Sequence, residues 1–156
     1  MATISWGKPS QFQTTKSVDG APAAAADWKD IETPKESTLQ IVVTEGSAQT
    51  VTEEGGGIVD VRFNANTYEL QFTEFVKKGK EPCFEDKDGI VEGEHAFRFL
   101  PEDDTCEGRQ IDCSVVRVVE TFTTAEGILR LHKAQGKKPK TGNTVKPYKK
   151  AAGGGS

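Results

Sequence analysis

From Leu39 onward apolar and polar residues alternate, and the alternation breaks at a few clusters of glycine, asparagine and acid. Leu39–Thr44 reads as a strand, Glu45-Gly46-Ser47 as a turn, and Ala48–Glu53 resumes with alternating threonine and valine. Residues 39–53 therefore predict a hairpin. Glu54-Gly55-Gly56-Gly57 interrupts the chain. Ile58–Phe63 then sets Val59, Val61 and Phe63 on one face and Asp60 and Arg62 on the other. After Asn64-Ala65-Asn66, Thr67–Phe75 sets Tyr68, Leu70 and Phe72 against Thr67, Glu69, Gln71 and Thr73. These two runs predict half-buried antiparallel neighbours joined by a three-residue turn.

Beyond Thr73 the period slips: Phe75 and Val76 are adjacent, and Lys77-Lys78-Gly79-Lys80 is polar, which admits a short helix. His95–Leu100 predicts a strand closed by Pro101. Arg109–Glu120 predicts a longer one, in which Val115, Val116, Val118 and Val119 leave no polar stripe. Such a run implies burial on both faces or strong twist. The turn Ala125-Glu126-Gly127 leads to a returning strand over 128–134. Composition agrees, with 36 β-branched residues against six leucines and methionines. The expected class is mainly β, one domain's worth of chain at 156 residues.

Residues 1–37 lack this periodicity and carry Gly7, Pro9, Gly20, Pro22 and Pro34, so they predict an N-terminal arm, with a helical turn open to Ala23–Ala26. Trp6, Phe12, Trp28 and Ile31 are its apolar points. They have two destinations: the chain's own sheet, or a neighbouring subunit. Residues 38–136 form the expected core, 137–150 a C-terminal extension, and 151–156 (AAGGGS) a flexible end.

Charge divides the chain further. Residues 81–107 hold ten acids against Lys87 and Arg98, and 137–150 hold six lysines and no acid. With a net charge of −4 overall, the rest of the chain carries −10. An acidic body argues against general nucleic-acid binding. The two segments are candidate complements between subunits, Lys137, Lys138, Lys140 and Lys146 meeting Glu81, Glu85, Asp86 and Asp88. No apolar run is long enough for a membrane helix, and the first residues lack the pattern of a signal peptide. Three cysteines without paired spacing imply free thiols.

Catalytic signatures are missing. His95 and His132 fall on separate strands, no nucleophile has a recognisable setting, and the glycines at 55–57 lack a following lysine and hydroxyl. Asp86-Lys87-Asp88-Gly89 has the wrong spacing for a calcium loop, so it reads as an acidic turn. No catalytic residue, metal or cofactor is expected.

Several stretches together resemble a known family. Cys113–Gly127 (CSVVRVVETFTTAEG), the following ILRL, Lys140–Tyr148 (KTGNTVKPY), Glu53–Arg62 (EEGGGIVDVR), Asn66–Phe72 (NTYELQF) and Pro34–Thr38 (PKEST) are similar to the major tail tube proteins of tailed bacteriophages, in the version from phages of Bacteroides-type gut bacteria. The likeness spans about residues 30–148. It implies an antiparallel β-sandwich or partial barrel with one short helix and extended terminal arms. It also implies a long hairpin that reaches other subunits.

The implied role is a structural virion protein, assembled in the host bacterial cytoplasm into stacked hexameric rings. These form a hollow tube that conducts the genome. Implied partners are further copies of the chain, a tape-measure protein, tail-tip, baseplate or terminator proteins, and DNA that passes without specific binding. Asp60, Arg62, Glu69, Gln71 and Thr73 are then candidates for the bore, where an acidic wall would repel phosphate. The inner tube of a contractile injection system, a head–tail or capsid protein, and a monomeric β-sandwich binding module are the other readings. A sugar-binding module would display a row of exposed aromatics, and this chain offers two tryptophans in the arm and two distant tyrosines.

Overall fold

A computed structural model describes residues 4–24 and 27–150. Eleven strands follow in order: β1 (Gln11–Val18), β2 (Ala21–Pro22), β3 (Lys29–Asp30), β4 (Gln40–Thr44), β5 (Ala48–Thr52), β6 (Ile58–Phe63), β7 (Thr67–Phe75), β8 (Ile90–Leu100), β9 (Gly108–Thr123), β10 (Gly127–Gly136) and β11 (Val145–Tyr148). Nine form one curled antiparallel sheet, a half-barrel in the order β2-β1-β8-β9-β10-β7-β4, with β11 on β9 and β3 on β1. β5 and β6 form a separate two-stranded sheet.

The period of two explains the core. Leu70 and Phe72 of β7, Val116 and Val118 of β9, and His132 and Ala134 of β10 point into the curl, joined by Phe12, Ile31, Phe84, Val91, Phe97 and Ile111. Phe12 meets Phe72 edge to face at 4.9 Å.

The structure corrects several expectations. It holds no helix among the described residues; 76–89 is an extended loop with a tight turn, where Gly79 and Pro82 interrupt any helical run. The second proposed helical turn lies partly outside the described residues, as does the 151–156 end. Residues 39–53 are not a hairpin, and β6 and β7 are not neighbours. β4 pairs with β7, and β5 with β6, so residues 40–75 make one long hairpin whose reversal lies at Glu53–Gly57.

The two presumed turns face each other across this hairpin. Asn64 N–H donates to Ser47 O at 2.9 Å, and Gly46 N–H to Asn66 Oδ1 at 3.1 Å. A Cβ on Gly46 would stand 2.0 Å from Asn64 O, so only glycine permits the close approach.

The N-terminal arm is also revised. Residues 11–18 form β1 inside the sheet, paired with β8 from Gln11↔Leu100 to Lys16↔His95. The C-terminal extension likewise adds β11 to β9. Finally, the long valine run of β9 is buried on one face only: Val116 and Val118 are in the core, while Val115 and Val119 are exposed.

Candidate functional site

The distal half of the long hairpin is the most unusual surface. Every residue of β5 and β6 is exposed. Val51, Ile58, Val59, Val61 and Phe63 are among them, Phe63 at 74%. Soluble domains tolerate scattered exposed apolar residues; here Val59, Val61 and Phe63 share one face of a single projecting strand, the mark of a contact surface. Asp60 and Arg62 lie on β6, in this separate sheet, whereas Glu69, Gln71 and Thr73 lie on β7 in the main one. The five candidate bore residues are thus split between two sheets.

The main sheet has a second uncovered surface, the face of β9, β10, β7 and β4 turned away from the core. Register places Val115, Arg117, Val119 and Thr121 of β9 opposite Gln135, Lys133, Leu131 and Leu129 of β10. Next come Glu69, Gln71, Thr73 and Phe75 of β7, then Gln40 and Val42 of β4. Among the described residues Glu69 is the only acid on this face, and Arg117 sits directly opposite Lys133. The acidity expected of a bore therefore does not reside here. Uncharged side chains, apolar and polar, dominate instead, and the polar ones are linked: Gln40 donates to Gln71 at 3.1 Å, and the Gln71 amide binds Glu69. Thr73 is buried, its N–H donating to Thr38 Oγ1 at 3.2 Å.

The open strand edges among the described residues include two in the main sheet. β4 pairs only with β7. On β9, contact with β8 and its preceding loop ends where Val118 N–H donates to Gly89 O, so residues 119–123 pair with β10 alone. Three antiparallel steps separate β9 from β4, so these edges run in opposite directions. Exposed edges are templates for pairing with another chain. Phe122 and Ile128, opposite each other beyond the end of the core, are exposed at the same tip.

The apolar points of the N-terminal segment divide. Phe12 and Ile31 are in the core. Trp28 packs under the Arg98 guanidinium at 4.1 Å, with Tyr148 at 5.0 Å on the same cation. Trp6 is exposed, its carbonyl accepting from Glu102 N–H.

The basic extension finds acid within the chain. Lys137 binds Glu94, Lys146 binds the buried Asp112, and Lys150 binds Asp104 at 2.8 Å. Lys138 and Lys140 are exposed and make no ion pair among the described residues, as do Glu81, Glu85 and Asp88. Asp86 is instead bound by Arg130 at 2.8 Å. Lys87 and Ile90 close a two-residue turn over Asp88 and Gly89, both at positive φ.

Reactive groups are tied up. None of the three cysteines is in a disulfide, and burial, aided by the Glu74 charge, pushes the Cys83 thiol up to about 12. Burial lowers the His95 imidazole, and His132 is fully buried, stacked 4.5 Å from Phe72. No group of acids, histidines and cysteines among the described residues is arranged to hold a metal ion. No family model matches the chain, and no curated protein is similar to it.

Proposed function

We propose that this chain is a self-associating structural subunit, the repeating unit of a hollow tail tube built from stacked rings, six copies to a ring. The observation that carries the proposal is the distal hairpin: sixteen residues, 48–63, projecting from the main sheet with five large apolar side chains in water. A monomer gains nothing from that arrangement; a second copy covering it gains roughly 25 cal/mol for each Å² of apolar surface removed from water.

Ring closure has a second support in the open edges. Pairing the β4 edge of one copy with residues 119–123 of the next continues the antiparallel alternation and removes both edges. In a ring closed that way, the outer face of β9, β10, β7 and β4 lines the bore. Its side chains are mostly uncharged, with Glu69 offsetting part of the Arg117 and Lys133 charge, which leaves little to hold a duplex. Heterologous contacts between rings then fall to the hairpin, with the unpaired Lys138 and Lys140 and the unpaired Glu81, Glu85 and Asp88 giving register. The sequence resemblance to phage tail tube proteins points the same way.

Negative-stain microscopy of the concentrated protein tests this reading. Rings or hollow filaments are expected. A chain that stays single-copy at every concentration refutes it.

A further inference from the structure

The connection between β7 and β8 holds a group of charges that the assembly reading does not use. Residues 76–89 contribute little to the sheet. Backbone bonds to the sheet hold only the two ends of this segment, Val76 N–H donating to Ile128 O at 3.3 Å and Val118 N–H to Gly89 O at 2.9 Å; between them the bonds are local or go to side chains, Lys80 N–H donating to Lys77 O, Gly89 N–H to Asp86 Oδ2 at 2.8 Å, and Cys83 N–H to both carboxylate oxygens of Glu74. One side chain enters the core. Phe84 lies 4.7 Å from the His95 ring, and 5.8 Å from the rings of Phe97 and His132.

Arg130, in the buried row of β10, holds this loop down. Its Nη2 donates to Phe84 O and to Asp86 Oδ1, each at 2.8 Å, and its Nη1 donates to Glu120 Oε1 at 3.0 Å. Its Nε lies 3.9 Å from Glu74 Oε1 and makes no hydrogen bond. His132 Nε2 is 3.2 Å from the same Glu74 oxygen, and its buried Nδ1 has no partner. Three carboxylates thus surround one buried arginine, Glu120 from its solvent-exposed side.

We propose that residues 80–89 form a strap, latched over Phe84 by the Arg130–Asp86 pair, which acid releases while the sheet stays folded. The strap carries the unpaired acids Glu81, Glu85 and Asp88, so its opening rearranges the most acidic surface of the subunit and bares the His132 side of the core.

The groups facing the latch are Glu74 on β7, Cys83 on the strap, Lys29 on β3, His95 on β8, Glu120 on β9, and Arg130 and His132 on β10. Glu32 adds a tie outside it, 3.4 Å from Lys77 and 3.7 Å from Lys80. The hydrogen bond from Arg130, and next that from Gly89 N–H, hold the Asp86 carboxyl below the usual aspartate range. A depressed carboxyl stabilises the closed strap above the ordinary aspartate value, and that contribution is lost as pH falls through the depressed one.

Cys83 is a built-in reporter, half-buried when the strap is closed, with its N–H donating to Glu74. The test is the rate at which 4,4′-dithiodipyridine, a disulfide that reacts in acid as well as at neutral pH, modifies Cys83 in the full-length chain. Peptide mass mapping locates the label, and far-ultraviolet circular dichroism follows the sheet. Asp86→Asn is expected to raise the neutral-pH rate about tenfold or more with an unchanged sheet signal. Glu120→Gln, at the exposed side of the arginine, is expected to raise it far less. The wild-type chain is expected to label faster below about pH 4 than at neutral pH, before its sheet signal falls. Two results overturn the latch: Asp86→Asn labelling at the wild-type rate, or acid labelling that rises only in step with loss of the sheet. Should Asp86→Asn fail to fold, the wild-type acid series decides alone.

Discussion

The two halves of the long hairpin carry the same alternating code and meet opposite fates. In the proximal half, β7 lies between β4 and β10, and its apolar residues Leu70 and Phe72 are buried. In the distal half, β6 has only β5 beside it, and Val59, Val61 and Phe63 face water. Alternation therefore specifies a strand with one apolar face. What covers that face is a separate question, answered for β7 within the chain and, under the proposed assembly, for β6 by another copy.

The difference can be broken from either side. Phe72 packs against Phe12, Phe97 and His132. Phe72→Ala is expected to cost about 3–5 kcal/mol of folding free energy, read from denaturant unfolding. Gly46→Ala strikes the junction between the halves. Its Cβ meets the Asn64 carbonyl, so the substitution is expected to cost about 1–3 kcal/mol, or to detach the distal half, seen as faster amide exchange over 48–63.

Acidification acts on the Asp86–Arg130 pair beside the proximal half. Asp86 titrates below the ordinary aspartate range, so its stabilising contribution is complete at neutral pH and fades as acid protonates it. Thermal melts of wild type and Asp86→Asn are expected to differ at neutral pH and to converge in acid. At the distal end, Phe63→Ser is expected to change folding stability by no more than about 0.5 kcal/mol. A larger loss would mean that Phe63 is buried in the lone subunit.

The same contrast explains what was legible in the sequence. The strands over 58–63, 67–75 and 128–134 announce themselves by period, and the valines of β9 by composition. Their partners do not. Glu45-Gly46-Ser47 and Asn64-Ala65-Asn66 have the residues of turns, and they serve as two sides of one bend, which only the pairing of β4 with β7 reveals.

β1 escaped notice because QFQTTKSV buries Phe12 and Thr14 on one face, and a threonine carries no apolar signal; its Oγ1 donates to Ala96 O inside the sheet. β11 includes Pro147, which argues against a strand unless it pairs at an edge. The latch joins Asp86 to Arg130 across 44 residues, and Arg130 reads in sequence as an ordinary charge on an alternating strand. Period and composition record local geometry; long-range pairing and buried charge depend on neighbours far along the chain.

The most direct measurement compares the wild-type chain with the triple variant Val59→Thr, Val61→Thr, Phe63→Ser by sedimentation velocity over a wide concentration range. Each sample is also melted at low concentration. The account predicts that the wild type assembles into large species, while the variant stays a monomer with an unchanged melting temperature. Equal assembly of both chains, or a wild type that never leaves the monomer, contradicts it.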